Sequence, residues 1–201
     1  RQFAQIRHGY DPDPRRSLSL KADAYTDNAW FEADRQAILA KHWQWVCHVE
    51  KLRAPGDYVT ADIAGQPIVI TRARDGLLRA FYNVCKHRAH MLLTGAGNTS
   101  RIMCPYHAWV YRLSGELVRA PETDALEDFD TNDICLDQVK VTEFAGFVFV
   151  NLDPDAAPLQ EVAGNLETEI RHWAPDIENL TFARRLTYDI KSNWKNVIGV
   201  E

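Results

Sequence analysis

Two short segments constrain this chain more than anything else in it: Cys85-Lys86-His87-Arg88 and, after sixteen residues beyond His87, Cys104-Pro105-Tyr106-His107. Each offers one thiolate and one imidazole, so a site that uses all four must fold two separate loops against each other. The set suits a [2Fe-2S] cluster in which one iron keeps two Cys ligands and the other takes two His ligands. Neutral imidazoles in place of anionic thiolates let such a cluster accept an electron more readily than an all-Cys ferredoxin cluster. These residues point to an electron carrier, or to part of an enzyme that contains one.

A structural zinc site also draws on Cys2His2 sets, but it usually takes its pairs as Cys-x2-4-Cys and His-x3-5-His, and the mixed pairs here fit that pattern poorly. Four unrelated buried side chains are a further alternative, weakened by the scarcity of Cys and His: four and seven in 201 residues. Four Cys do not make a disulfide scaffold. With Cys85 and Cys104 given to metal, Cys47 and Cys135 are expected to be small buried apolar residues.

The rest of the composition is that of a globular chain: 46% hydrophobic, 25% charged and a formal net charge of -5. No apolar run approaches the roughly 20 residues that span a bilayer, and mild acidity does not suggest nucleic-acid binding. The opening Arg1-Gln2-Phe3-Ala4 has neither an initiator Met nor a signal-peptide apolar core, which reads as a trimmed or internal start of a cytoplasmic chain.

Asp11-Pro12-Asp13-Pro14 reads as an extended arm. Thr26-Asp27-Asn28 supplies capping groups for a helix that carries Trp30, Phe31, Ala33, Ala37 and Ile38 and ends near Lys41. Strands are then predicted over Tyr58 to Ile63, Pro67 to Thr71, Leu77 to Val84 after the Arg74-Asp75-Gly76 turn, Arg101 to Met103, Val110 to Arg112 closed by Ser114-Gly115, and Phe144 to Leu152. Both ligand pairs fall at strand-to-loop transitions, an anchorage suited to a preorganised site. Pro105 stiffens the second loop, and Trp109 is placed either to shield a cluster or simply to pack in the core. Past Asp153-Pro154 a helix is predicted over Leu159 to Trp173, a strand over Thr181 to Ile190, and a segment capped by Ser192-Asn193 that begins at Trp194.

On these motifs the chain resembles the large (α) subunits of Rieske non-haem iron oxygenases, also called aromatic-ring-hydroxylating oxygenases. The strongest parts of the resemblance are Asn83-Val84-Cys85-Lys86-His87-Arg88-Ala89-His90 and Cys104-Pro105-Tyr106-His107-Ala108-Trp109. Gly56-Asp57-Tyr58, Ala145 to Asn151 and Ser192-Asn193-Trp194-Lys195 support it. The loop wording leans toward members that oxidise betaine, choline or carnitine.

The resemblance implies a mainly β fold: an N-terminal arm and helix over residues 1–42, an antiparallel Rieske [2Fe-2S] β domain over 43–155, and the incomplete start of an α+β catalytic domain over 156–201. It implies Cys85, His87, Cys104 and His107 as the cluster ligands. It further implies a reductase or ferredoxin electron donor, a homotrimeric parent, and a mononuclear Fe(II) centre for O2-dependent hydroxylation or demethylation in that parent. Ligands for that second iron are not assignable here: His172 is isolated and Glu201 stands at most at an early helix position, so this chain alone is not expected to hydroxylate. His90 and Tyr106 stand where respiratory Rieske proteins carry two further Cys, and Ala108 replaces the usual Gly. By that comparison the chain is expected to lack the hydroxyl donors to sulfur that raise the respiratory potential. A stand-alone Rieske-type ferredoxin is the alternative reading. Lys86, Arg88 and Arg101 are candidates to dock an acidic donor.

Overall fold

The computed structural model describes residues 11–13, 15–123, 125–184 and 186–198. The chain start at Arg1, the second proline of the arm, Pro14, and the end at Gly199-Val200-Glu201 lie outside them. The described strands are β1 (Gln44–His48), β2 (Asp57–Ile63), β3 (Gln66–Arg72), β4 (Leu78–Tyr82), β5 (Ala96–Asn98), β6 (Ile102–Met103), β7 (Val110–Tyr111), β8 (Leu117–Arg119), β9 (Gln138–Phe144) and β10 (Phe147–Asn151). The α-helices are α1 (Asp23–Thr26), α2 (Asn28–Asp34), α3 (Leu159–Val162), α4 (Leu166–Trp173) and α5 (Trp194–Ile198). The chain divides into two compact units, one formed by Ile38–Arg184 and the other by Arg1–Ala37 with Arg185–Glu201.

The larger unit is antiparallel β, as expected. A seven-stranded sheet runs β1-β10-β9-β4-β3-β2-β5, and a three-stranded sheet runs β6-β7-β8. Strand β3 reads Ile68-Val69-Ile70-Thr71, without apolar-polar alternation, because both of its faces are covered. Ile68 and Ile70 join Leu52, Ala80, Val148 and Val150 on one side. Val69 joins Phe81, Tyr111, Leu113 and Leu117 on the other, together with Cys85 and Cys104. This second cluster is shared by the two sheets, and it holds the loop bases in fixed register.

The turn between β7 and β8 needs glycine. Gly115 has φ +103°, and a Cβ there would come within 2.6 Å of the Phe81 ring and 3.0 Å of the Cys135 sulfur. A side chain would force the small sheet away from the large one.

Several sequence expectations are corrected. The run from Phe144 to Leu152 is not one strand: it holds the last residue of β9, the Ala145-Gly146 turn and β10, with Phe144 opposite Phe147. The predicted helix from Leu159 to Trp173 breaks at Gly164, whose φ of +58° leaves the right-handed helical region, so α3 and α4 are separate. Val162, Leu166 and Trp173 are exposed, and Ile170 packs toward Phe144, Ala145 and Leu159. Residues 181–190 form no strand among the described residues, because no neighbouring strand supplies the ladder hydrogen bonds. Asp11 to Asp13 is bent rather than extended: the Asp13 N–H donates to the Asp11 carboxylate, and the Asp13 carbonyl accepts from Arg16. Cys47 is buried in β1 as expected, but Cys135 is exposed.

In the smaller unit, α2 begins as predicted, with the Asp27 carboxylate accepting from the Ala29 N–H at 2.8 Å. Helix α5 is too short to persist alone and is anchored by side chains. The Trp194 indole donates to Asp34 at 3.2 Å, Lys195 forms an ion pair with the same carboxylate, and the Asn193 amide donates to the Tyr25 carbonyl. Asn193 also caps α5, its Oδ1 accepting from the Lys195 N–H at 3.1 Å.

Candidate metal centre

The segments Cys85–His90 and Cys104–Trp109 fold into the same backbone frame. In the first, the Cys85 N–H donates to the His90 carbonyl at 2.8 Å and the Ala89 N–H donates back to the Cys85 carbonyl at 2.9 Å. In the second, the Cys104 N–H donates to the Trp109 carbonyl at 2.8 Å and the Ala108 N–H to the Cys104 carbonyl at 3.1 Å. Ala89 and Ala108 both lie in the left-handed region, at φ 52° and 55°. A chain that reverses within five residues needs one such residue, which is where glycine would ordinarily serve.

The frames are anchored differently. Asn83, fully buried, clamps the base of the first loop: its amide donates to the Leu93 carbonyl at 2.7 Å and its Oδ1 accepts from the Leu93 N–H at 3.0 Å. The second loop is closed by its own strands, with Ile102 opposite Tyr111 and Met103 opposite Val110.

The four predicted ligand residues come together as two pairs, the thiols of Cys85 and Cys104 and the imidazoles of His87 and His107. Cys85 and Cys104 are both buried and free of disulfide. The His87 and His107 rings lie with centroids 4.7 Å apart. His87 stacks on Trp109 at 5.0 Å and 6°, while Tyr106 lies over His107 at 3.8 Å. Trp109 also meets Phe129 edge-on and belongs to the shared core, so the packing reading of that residue holds. His90 sets its Nδ1 against the Met91 carbonyl at 2.7 Å, with its ring 5.6 Å from that of Tyr106. His172 is an exposed helix residue packed edge-on against Trp173.

The electrostatics favour soft, neutral donors. Burial pushes the Cys85 thiol up, and hydrogen bonds from Tyr111 and from the His87 N–H work against that shift. His87 is held below the usual imidazole range by partial withdrawal from water, with His107 and Arg88 adding in the same sense. Among the described residues, His107 Nδ1 is the buried side-chain nitrogen or oxygen without a hydrogen-bond partner.

Sequence reasoning missed Tyr111. Its side chain is fully buried, its hydroxyl lies 3.2 Å from the Cys85 sulfur, and the Lys86 N–H donates to the hydroxyl oxygen at 3.1 Å. Toward a deprotonated Cys85, which can only accept, the hydroxyl is the donor. Burial, reinforced by the bond to Cys85, holds Tyr111 well above the ordinary phenol range, so it stays a donor. This corrects the expectation that no hydroxyl donor reaches sulfur. The signal was legible: Trp109, Tyr111 and Leu113 alternate inward from the second loop. Of the three candidate docking cations, Lys86 is paired with Asp137 at 2.5 Å, Arg88 lies beside the His pair, and Arg101 lines a different depression.

Comparison with known proteins gives the same picture. Residues 42–130 match the Rieske [2Fe-2S] domain family. The chain is 39% identical over 187 residues to the carnitine monooxygenase oxygenase subunit of Escherichia coli (strain K12), covering 92% of this chain and 50% of the relative. It is 31% identical over 194 residues to the chloroplastic choline monooxygenase of Beta vulgaris, covering 94% of this chain and 43% of the relative. The apo crystal structure of the quaternary ammonium Rieske monooxygenase CntA superposes with a TM-score of 0.85 at 39% identity, covering 90% of this chain and 53% of that one. The chain spans about half the length of the curated relatives it matches.

Proposed function

Because the chain belongs to the large-subunit family of Rieske non-haem iron oxygenases, of which it spans about half, we propose that it is the electron-accepting portion of such an oxygenase. In this reading Cys85 and Cys104 hold one iron of a [2Fe-2S] cluster, and His87 and His107 hold the other. When bound, the cluster supplies reversible one-electron storage at a higher potential than an all-Cys cluster. The observation that carries the assignment is the enclosed, unpartnered His107 Nδ1 beside His87 and two buried thiols. An imidazole nitrogen buried without a partner costs desolvation energy that metal coordination recovers. Among the described residues no three His, Cys, Asp or Glu converge as on a single ion. Two irons with two protein ligands each need only pairwise convergence, which favours a binuclear cluster over zinc.

The protein's own groups then have separable roles. Cys85 and Cys104 supply negative charge from the buried side, and Tyr111 donates a proton to sulfur without releasing it. His87 and His107 bound the outward side, with Trp109 and Tyr106 stacked on them to fix ring orientation and exclude water. Asn83 holds the first loop in place.

In the complete parent, electrons arrive from a reductase or ferredoxin and pass to a mononuclear Fe(II) held by residues outside this chain, for O2-dependent hydroxylation or demethylation. Residues 156–201 are the start of that catalytic domain, following an N-terminal arm and helix over 1–42 and the Rieske domain over 43–155. Relatives named for carnitine, choline and glycine betaine favour a quaternary ammonium substrate. The parent is proposed to work in the cytoplasm as a homotrimer. Among the described residues, no helix is long and apolar enough to cross a membrane.

The test is anaerobic reconstitution with iron and sulfide. Two irons and two labile sulfides per chain, with a Rieske-type electron paramagnetic resonance signal after dithionite reduction, are expected. A colourless chain that retains only zinc would refute the assignment.

A further inference from the structure

Two depressions flank the ligand loops, and they differ in chemistry. The larger, about 580 Å3, contains His87, His107 and Trp109 in its lining and belongs to the site described above. The smaller, about 270 Å3, is lined by Arg74, Arg101 and Arg112, together with Asp75, Ser100 and Ser114 among others, and shares no lining residue with the first.

The three arginines come from three separate segments: the turn after β3, the entry to β6 and the exit from β7. Ile102 pairs with Tyr111 across β6 and β7, and both are fully buried, so the next residues outward, Arg101 and Arg112, share the opposite, exposed side of the hairpin. None of the three guanidinium groups makes an ion pair or hydrogen bond among the described residues. The nearby carboxylates are already engaged. Asp75 accepts from Arg79 at 2.9 and 2.7 Å, and Glu116, which also feels Arg112, accepts from the Ser114 hydroxyl at 2.5 Å. A chain of net charge -5 thus gathers three guanidinium groups without ion pairs among the described residues in one concave place, with Asp75 in the lining and Glu116 near Arg112. Guanidinium forks facing a shared hollow are suited to carboxylates, which they bind in paired hydrogen bonds.

We propose that this arginine-lined face docks the acidic surface of the one-electron donor protein, so that electrons enter on the cysteine side of the site and leave on the histidine side. The proposal rests on the cluster reading given above. The connection is short: Arg112 follows Tyr111 directly, and the Tyr111 hydroxyl lies 3.2 Å from the Cys85 sulfur. The donor loses one electron, the cluster gains one, and no bond forms or breaks. The grouping also replaces the expected trio of Lys86, Arg88 and Arg101, since Lys86 is committed to Asp137 and Arg88 lies on the histidine side.

The experiment is stopped-flow reduction of the cluster-loaded chain by reduced plant-type [2Fe-2S] ferredoxin, an acidic one-electron donor, at about 20 mM salt, where surface charges are weakly screened. The double variant Arg101→Glu/Arg112→Glu is expected to slow the second-order rate by about tenfold or more. Arg88→Glu is expected to have a smaller effect, and the wild-type rate should fall as salt is raised. Dithionite reduction and the resonance spectrum should be the same in all three proteins. The proposal is overturned if the double variant stays within about twofold of wild type, if Arg88→Glu has the larger effect, or if ferredoxin fails to reduce a wild-type cluster that dithionite reduces. Saturable inhibition by inorganic phosphate at constant ionic strength, lost in the double variant, would make the hollow a small-anion site and also overturn docking. Failure to load any cluster would instead strike the function proposed above, so the two failures are distinguishable.

Discussion

The first and second ligand loops have one backbone frame and two different ways of holding a histidine. In each, a Cys N–H reaches a carbonyl five residues on, and a left-handed alanine four residues on closes the turn. Yet the histidine stands two residues after Cys85 and three after Cys104. The one-residue offset presents the side chains differently. His87 is exposed and lies flat against Trp109, whereas His107 is half-buried under Tyr106 with its Nδ1 enclosed. Two copies of one turn thus yield a paired site with unlike halves, one ring bounded by an aromatic plane and the other half-buried with one nitrogen enclosed.

The sharpest way to break this comparison is to remove one histidine at a time. His107→Ala and His87→Ala should each abolish the Rieske-type resonance and lower iron content, because two protein ligands per iron leave no spare donor. If His107→Ala retains an unchanged spectrum, the enclosed nitrogen is not a ligand and the pairing fails. Equivalent changes at Cys47 or Cys135 should leave both readouts alone.

The loops also differ in what holds them down. Asn83→Ala should lower global stability by roughly 1–2 kcal/mol, since it leaves the part-buried Leu93 N–H and carbonyl without their side-chain partner. Urea unfolding of the cluster-free chain measures this without interference from iron. A loss below about 0.5 kcal/mol would mean that the Val84 to Met91 bridge alone holds the first loop.

The sulfurs provide a third contrast, because the Tyr111 hydroxyl is spent on Cys85. A donor to sulfur stabilises the more negative, reduced cluster. Tyr111→Phe should therefore lower the reduction potential by roughly 50 mV, the equivalent of about 1 kcal/mol of hydrogen-bond energy for one electron. Protein-film voltammetry reads the shift, and an unchanged potential would make Tyr111 a packing residue only.

How much of this was legible in the chain follows from how local each signal is. The four candidate ligands lie in two runs of three or four residues, so spacing alone brought them into view. Tyr111 was readable from period-two alternation, but only once β7 was known to face the core. Residues 181–190 show the opposite failure. Phe182, Leu186, Tyr188 and Ile190 alternate as a strand would, yet all four are exposed and no strand forms among the described residues. Alternation reports a face to be buried; it does not supply the neighbour that buries it. Cys135 was misjudged because a lone cysteine's burial depends on tertiary packing that its place in the sequence does not report.

The smallest expected effect tests whether the shared frame is strained equally in both loops. Ala89 and Ala108 occupy nearly the same left-handed conformation, φ 52° and 55°, and both are exposed. An L-residue there costs roughly 1–2 kcal/mol relative to glycine. Glycine in turn gives back about 0.4–1 kcal/mol through the greater freedom of the unfolded chain. Little packing is lost at an exposed methyl, so Ala89→Gly and Ala108→Gly should each stabilise the cluster-free chain by a few tenths to about 1 kcal/mol. Thermal or urea unfolding should find the two gains equal and, for sites in separate turns, close to additive. A gain at one position and a loss at the other would show that the frames are alike only in outline. The loop that lost stability would then be the one in which the alanine methyl restricts the loop to the conformation that orients its histidine.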